Sequence, residues 1–209
     1  MNHFPQNTLA AVRGAAPHVD MIEIDVRRCK TGELVVFHDE RVDDLTTACG
    51  PVRELSFEEL SSLRVAGSEE TIPSLEAVLD VLPADTGLNV ELKHAGMHED
   101  VASLVGRVDN EVLVSSFERD AISEFRDGSI PTAYLFTDSF EENLDTALEL
   151  GCTFLHPHYE RTDAERIERT HEQDMAVNAW TVPTREEVRR LRSVGVDGVI
   201  VDSWEIIPD

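Results

Sequence analysis

Lysine is nearly absent from this 209-residue chain. Only Lys30 and Lys93 among its 18 basic residues are lysines, and 42 acidic residues give a formal net charge of −24. Such a chain repels the phosphate backbone, which excludes nucleic acid as a partner. Its acidic residues also repel one another. Salt weakens this repulsion, because the Debye length falls to about 3 Å at about 1 M. The composition therefore predicts a halophilic protein, in which each remaining lysine needs a specific explanation.

Cysteines and long apolar runs are also scarce. Cys29, Cys49 and Cys152 are odd in number and widely spaced, with no C-x-x-C pattern for zinc or redox chemistry. No run approaches the roughly 18 apolar residues of a membrane span, and the N-terminus lacks the basic and apolar regions of a signal peptide. The 41% hydrophobic content suffices for one buried core. These features predict a single cytoplasmic domain over residues 1–209, with no membrane span.

Short apolar runs alternate with longer amphipathic segments along nearly the whole chain. This alternation is typical of βα units around a parallel sheet and predicts an α/β fold. The predicted strands are residues 21–26, 34–37, 88–92, 112–116, 132–136, 153–155, 176–180 and 198–201. The predicted helices include residues 56–64, 74–82, 140–150, 163–173 and 184–194. Ser56 with Glu59, and Thr184 with Glu187, have the spacing of capping boxes.

The second predicted strand follows the first too closely for a parallel crossover, which needs a dozen residues or more. Residues 21–26 and 34–37 are therefore predicted to form an antiparallel hairpin, with Gly32 free to take a positive φ in its turn. A two-residue turn at Thr31 and Gly32 would set His38 opposite Asp25. A three-residue turn would shift this register by one.

Charged residues recur at a spacing of two on the predicted strands. Glu23 and Asp25 share one strand face, since side chains alternate along a strand. Two carboxylates on one face repel, and a divalent cation of the Mg²⁺ or Ca²⁺ type is the simplest agent to hold them together. Glu91 and Lys93 repeat this geometry on a later strand. The carboxylate could complete the ion's oxygen ligands, and the ammonium could hold a phosphate.

Each of these features also has an interpretation without function. A Glu-x-Asp pair is common in acidic proteins, His38 could be a solvated strand end, and Glu91 with Lys93 could be a simple ion pair. An interior strand of a lysine-poor chain argues against the last of these.

Together these segments resemble the glycerophosphodiester phosphodiesterase family, and the similarity covers nearly the whole chain in order. The start of the first helix (PQNTLA, residues 5–10) is similar to the family's PENT-type segment, with Gln6 where glutamate is usual. Further similar segments are MIEIDV (21–26), VVFHDE (35–40), IPSL (72–75), NVELK (89–93), LVSSF (113–117), WTV (180–182) and GVDGVIVD (195–202). Eight ordered matches are specific, although none is specific alone.

The resemblance implies a (β/α)₈ TIM-type barrel with a β-hairpin extension after the Glu-x-Asp strand. It implies one divalent ion bound by Glu23, Asp25 and Glu91. Among the remaining matches, Lys93 corresponds to a phosphate-contacting catalytic lysine, His38 to one of two catalytic histidines, and Trp180 to an aromatic wall for the glycerol or alcohol group. The implied reaction is hydrolysis of a small-molecule glycerophosphodiester to glycerol phosphate and an alcohol, with a histidine pair exchanging protons.

The family also has a His-Arg-Gly motif at the end of a first strand, shortly before the PENT-type segment. This chain begins at Met1 without that motif, so the barrel's first strand, the partner histidine and the phosphate-binding arginine are missing from it, and its activity depends on them. We favour a polypeptide that starts upstream of Met1, which would leave secretion open.

Two alternatives remain. The chain could be a truncated or degenerate relative that binds metal or phosphodiester without hydrolysing it. It could also be a sugar-phosphate isomerase or aldolase barrel. Such a barrel would use a lone lysine or a glutamate base in place of a carboxylate cluster with a histidine.

Overall fold

The computed structural model describes residues 4–208 and divides into two compact units, residues 4–112 and 113–208. The prediction of one domain over residues 1–209 stays a prediction, and what precedes Met1 lies outside the described residues. Within residues 4–208, no helix combines the length and the apolar character that a membrane crossing requires.

The first unit is built on a three-stranded sheet with β1 in the centre. β1 pairs antiparallel with β2 and parallel with β3, which confirms the predicted hairpin. In chain order its elements are α1 (Leu9–Ala15), β1 (Met21–Arg28), β2 (Leu34–Val36), α2 (Phe57–Ser62), α3 (Leu75–Val81), β3 (Gly87–Leu92) and α4 (His98–Val105).

Burial along β1 and β3 explains why these segments are strands. All six residues of β3 are buried, as expected for a strand covered on both faces. Ile22, Ile24 and Val26 on β1 are buried and carry its apolar face. The hairpin packs over a separate apolar cluster formed by Cys29, Val35, Phe37, Val42, Val52, Leu60, Val65 and Ile72. This packing places the other face of β1 where its carboxylates meet Glu91 of β3.

The hairpin turn has three residues, so the predicted pairing of His38 with Asp25 is wrong. Residues 30–32 form the loop, closed by the Cys29 N–H donating to the Glu33 carbonyl at 3.0 Å. Gly32 takes φ 102° there, as the turn requires. The register therefore sets Val26 opposite Val36, and the Phe37 N–H donates to the Asp25 carbonyl at 2.9 Å. Phe37 takes the place predicted for His38.

The second unit carries the remaining strands in the order β4-β5-β6-β7-β8, and the pairs within it are parallel. Parallel strands joined by helices are the predicted pattern. In chain order the elements are β4 (Val112–Ser116), α5 (Arg119–Ser123), β5 (Thr132–Phe136), α6 (Phe140–Leu150), β6 (Phe154–Pro157), α7 (Ala164–His171), β7 (Ala176–Ala179), α8 (Arg185–Val194) and β8 (Gly198–Val199).

The helix ends match the local signals in the sequence, with one exception. Ser56 and Glu59 form the predicted capping box at the start of α2. Gly151 and Gly195 end α6 and α8 in the left-handed conformation. At α8, Thr184 accepts from the Glu187 N–H, but the Glu187 carboxylate accepts from Arg190 at 2.6 Å instead of completing a box.

Candidate active site

Three carboxylates of the first unit converge where β1 and β3 run side by side. The parallel register sets Asp25 opposite Glu91 and Glu23 opposite Asn89, so their side chains share one face of the sheet. One ligand oxygen from each of Glu23, Asp25 and Glu91 lies within 4.8 Å of the other two. The structure thus brings together the three residues that the sequence proposed as metal ligands.

The chemistry of this donor set fits a hard divalent cation. All three groups offer carboxylate oxygens, the ligands that Mg²⁺ and Ca²⁺ take in proteins. Asp25 is 5% exposed and Glu91 is 7% exposed, so bulk water screens their repulsion weakly. Burial raises the pKa of Glu91, Lys93 lowers it and Asp25 raises it, with a net result above the usual value. The arrangement could hold a metal ion.

Lys93 contributes positive charge to this cluster. Its ammonium nitrogen lies 2.6 Å from Asp25 Oδ1 and also forms an ion pair with Glu91. Burial lowers the pKa of Lys93, but Asp25 and Glu91 outweigh it and raise that pKa above its ordinary value. Lys93 is therefore a charged ammonium on the carboxylate face. A partly buried, doubly paired lysine explains why this residue persists in a lysine-poor chain.

His38 lies just past β2, with a side chain that is 60% exposed. Its Nδ1 is 2.7 Å from Asp39 Oδ1, so the carboxylate can hold the ring in one orientation. The Arg27 guanidinium donates to the His38 carbonyl from Nε at 3.0 Å and from Nη2 at 2.8 Å. Among the groups that lower the pKa of Glu91, His38 has the smallest effect. His38 follows Phe37, the residue whose N–H donates to the Asp25 carbonyl, and does not itself pair with Asp25.

Arg27 and Asp39 were not among the predicted site residues. Arg27 follows Asp25 by two residues on β1, so strand parity alone places it on the carboxylate face. Its side chain is partly buried, and burial lowers its pKa while Asp25, Glu40, Asp39 and Glu91 raise it, with a net lowering. The double contact of Arg27 with the His38 carbonyl could not be predicted from the sequence, because it depends on the hairpin register.

Trp180, the predicted substrate-binding residue, belongs to the second unit. It follows β7, and its indole N–H donates to the His156 carbonyl at 2.8 Å. The Phe117 ring meets it edge-on with centroids 5.1 Å apart, and the His158 ring does so at 5.4 Å. Phe117 is 39% exposed. These three rings, Phe117, His158 and Trp180, form an aromatic cluster beside the carboxyl ends of β4, β6 and β7.

His156 of β6 is fully buried. Burial lowers its pKa to about 3, so the imidazole is neutral at physiological pH. Its Nε2 lies 3.1 Å from Asn178 Nδ2, and its Nδ1 has no hydrogen-bond partner within residues 4–208.

The fold and the carboxylate cluster define an α/β protein able to hold a metal ion on parallel strands, and the comparisons name its family. Residues 1–206 match the profile of the Glycerophosphoryl diester phosphodiesterase family, so the chain belongs to that family. This confirms the predicted class, a phosphoric diester hydrolase of the glycerophosphodiester phosphodiesterase type.

Sequence relatives cover nearly the full chain. Bacillus subtilis YhdW is 34% identical over 222 residues, which is 97% of this chain and 91% of the relative. The glycerophosphodiester phosphodiesterase of Caldanaerobacter subterraneus is 30% identical over 222 residues, with 97% and 90% of the two chains covered.

Solved structures of phosphodiesterases also match this chain. A phosphodiesterase of Oleispira antarctica, in complex with the product sn-glycerol-3-phosphate, matches with a TM-score of 0.89 at 26% identity, covering 97% of this chain and 90% of that one. The Thermotoga maritima glycerophosphodiester phosphodiesterase matches with a TM-score of 0.84 at 26% identity and the same coverage. These matches confirm the predicted α/β fold of the TIM-barrel class.

Proposed function

We propose that this chain hydrolyses glycerophosphodiesters to glycerol phosphate and an alcohol, using one divalent Mg²⁺ or Ca²⁺ ion bound by Glu23, Asp25 and Glu91. The observation that carries this proposal is the convergence of those three carboxylates within 4.8 Å on parallel strands of a chain from this family. The glycerol phosphate product in the Oleispira relative supports a small-molecule substrate.

The bound ion would polarise the phosphoryl oxygens as a Lewis acid. Glu23, Asp25 and Glu91 would provide its oxygen ligands, and the shared face of β1 and β3 fixes their spacing. Lys93 lies among them as a charged donor, so it can hold a phosphoryl oxygen and oppose the negative charge that develops during cleavage.

His38 is the proposed proton-exchanging group. Hydrolysis breaks one P–O ester bond, leaves a hydroxyl oxygen from water on phosphorus and delivers a proton to the departing alcohol oxygen. The contact between Nδ1 and Asp39 leaves Nε2 as the ring atom for proton exchange. The double contact of Arg27 with the His38 carbonyl holds the backbone of that residue.

Trp180 is the proposed contact for the glycerol or alcohol group. Its ring is fixed by the hydrogen bond to the His156 carbonyl and by two edge-on neighbours. A rigid aromatic face offers apolar contact to carbon chains and attracts a cationic head group.

Hydrolysis of glycerophosphocholine tests this proposal. The full chain would be assayed in concentrated KCl with Mg²⁺ or Ca²⁺, and again after chelation with EDTA. We expect weak ion-dependent release of choline and glycerol phosphate from the 209-residue chain, and a much larger release from a chain extended upstream by the segment that carries the His-Arg-Gly motif. The double substitution Glu23→Gln with Asp25→Asn should lower kcat/KM by roughly 100-fold or more, because it removes two of the three charged ligands.

The matched control is Glu58→Gln with Asp80→Asn, which removes the same charge from two exposed positions on α2 and α3. This variant should keep wild-type activity. Ion binding without turnover would support the alternative of a non-catalytic relative that binds metal. Equal activity of the Glu23/Asp25 double variant and the wild type would refute the metal site.

A further inference from the structure

Asn7 lies beside the carboxylate cluster and was not among the predicted site residues. It immediately precedes Thr8, the N-cap residue of α1, and has φ 60°. Thr8 is fully buried, and its hydroxyl donates to the Pro5 carbonyl at 2.8 Å while accepting from the Ala11 N–H at 3.2 Å. These two hydrogen bonds hold the chain on both sides of Asn7, so its side chain projects from a fixed backbone.

The Asn7 amide contacts Asp25 twice. Its Nδ2 donates to Asp25 Oδ2 at 2.7 Å, and its Oδ1 accepts from the Asp25 backbone N–H at 3.0 Å. The backbone N–H needs an acceptor, so the amide oxygen faces it and the amide nitrogen must face the carboxylate. One side chain therefore fixes both the position of the Asp25 backbone and the rotation of its carboxylate.

This contact divides the two oxygens of Asp25 between two partners. Oδ2 accepts from Asn7, while Oδ1 lies 2.6 Å from the Lys93 ammonium. The amide is neutral, so it orients the carboxylate without competing with a cation for its charge. Groups of this kind, which hydrogen-bond a metal ligand from behind, set its orientation and basicity.

We propose that Asn7 is a positioning residue for Asp25, and that it sets the affinity of the Glu23, Asp25 and Glu91 site for a divalent ion. The inference rests on the metal site of the proposed function. A purely structural role at the start of α1 would change stability and leave ion affinity alone.

Titration calorimetry of the full chain with MgCl₂ or CaCl₂ alone separates the two roles. Asn7→Gly removes the amide and suits the left-handed backbone, so the loss of the side chain is measured without added strain. We expect its dissociation constant for the ion to rise by about 10- to 100-fold. Asn7→Ser, which is too short to reach both Asp25 groups, carries the same expectation if the glycine variant does not fold.

Asn110→Ala is the matched control, because Asn110 uses its amide to bridge the Pro83 and Thr86 carbonyls of the same unit. It should lower the melting temperature and keep the wild-type dissociation constant. If Asn7→Gly also keeps that constant while Asp25→Asn loses binding, Asn7 has no positioning role and the metal site stands. If the wild type binds neither ion, the metal site and the inference fail together.

Discussion

At the residue scale, the candidate site is a set of charges held out of water. Asp25, Glu91 and Lys93 all have side chains that are at most 13% exposed. Removing one partner of a buried ion pair leaves an uncompensated charge, which destabilises far more than the intact pair stabilises. The site therefore links the stability of the first unit to whatever cation neutralises its carboxylates.

Substitution of Lys93 tests this link. Lys93→Met keeps most of the length of the side chain and removes its charge, so Asp25 and Glu91 are left without their shared cation. We expect the free energy of unfolding to fall by about 3 kcal/mol in EDTA, with a smaller loss in Mg²⁺ or Ca²⁺. Urea unfolding followed by circular dichroism measures both values.

Lys30→Met removes the other lysine from an exposed turn and should change the free energy of unfolding little. Equal losses for Lys93→Met with and without the divalent ion would show that the ion does not neutralise these carboxylates.

The burial of His156 makes the stability of the fold depend on pH. Its pKa is lowered from 6.5 in the unfolded chain to about 3 in the fold, because burial disfavours the imidazolium. Between these pH values the unfolded state binds the proton that the folded state excludes. The contribution of neutral His156 is therefore complete above pH 6.5 and is lost as the pH falls towards 3.

Replacement by glutamine tests this assignment. Wild type should lose more stability than His156→Gln as the pH falls below 6.5, by up to ~1.4 kcal/mol per pH unit. Urea unfolding at several pH values gives the slopes. Parallel slopes for wild type and His156→Gln would refute the assignment.

At the scale of elements, the β1-β2 hairpin decides where His38 lies. A strand has a period of two, so one extra loop residue changes which residue faces each partner. The three-residue loop puts Phe37 against Asp25 and moves His38 past the end of β2. There, Asp39 and Arg27 take over the orientation of His38.

Gly32 is the residue that makes this loop possible. It has φ 102°, and a Cβ at this position would meet no atom within 4 Å. Gly32→Ala should therefore destabilise through backbone strain alone, by about 1–2 kcal/mol. Chemical denaturation measures the loss.

Lys30→Ala alters the same loop without a positive φ and should be close to neutral. An unchanged stability in Gly32→Ala would mean that the loop takes another conformation.

At the scale of the whole molecule, the main feature is the large negative net charge. A net charge of −24 on 209 residues resists compaction through self-repulsion. Surface ion pairs such as Arg53 with Glu40 and Arg119 with Glu149 are exposed, so water and salt screen them and they offset little of this repulsion. Salt can screen the repulsion that these pairs leave uncompensated. Halophilic behaviour stays a prediction.

Thermal unfolding as a function of KCl tests that prediction. The melting temperature should rise between about 0.1 M and about 1 M, where the Debye length falls from about 10 Å to about 3 Å. Sucrose at equal osmolality is the control, because it does not screen charge. A flat melting temperature in KCl would contradict adaptation to salt, whatever stabilisation sucrose gives through its exclusion from the protein surface.

Local patterns in the sequence were sufficient for much of the fold. The order of strands and helices follows from apolar periodicity, and the capping box of Ser56 with Glu59 from residues adjacent in the chain. The shared face of Glu23 and Asp25, and that of Glu91 and Lys93, follows from the alternation of side chains along a strand. These features depend on neighbours within a few residues, so they are readable without a structure.

The sequence by itself thus determined the acidic character, the βα order and the carboxylates that could bind an ion. Only the tertiary structure decided the register that displaces His38, the convergence of β1 with β3 and the burial of His156. It also decided the contact of Asn7 with Asp25 across 18 residues of chain. The physical reason is that loop length, burial and side-chain partners depend on packing between distant segments, which local periodicity does not encode.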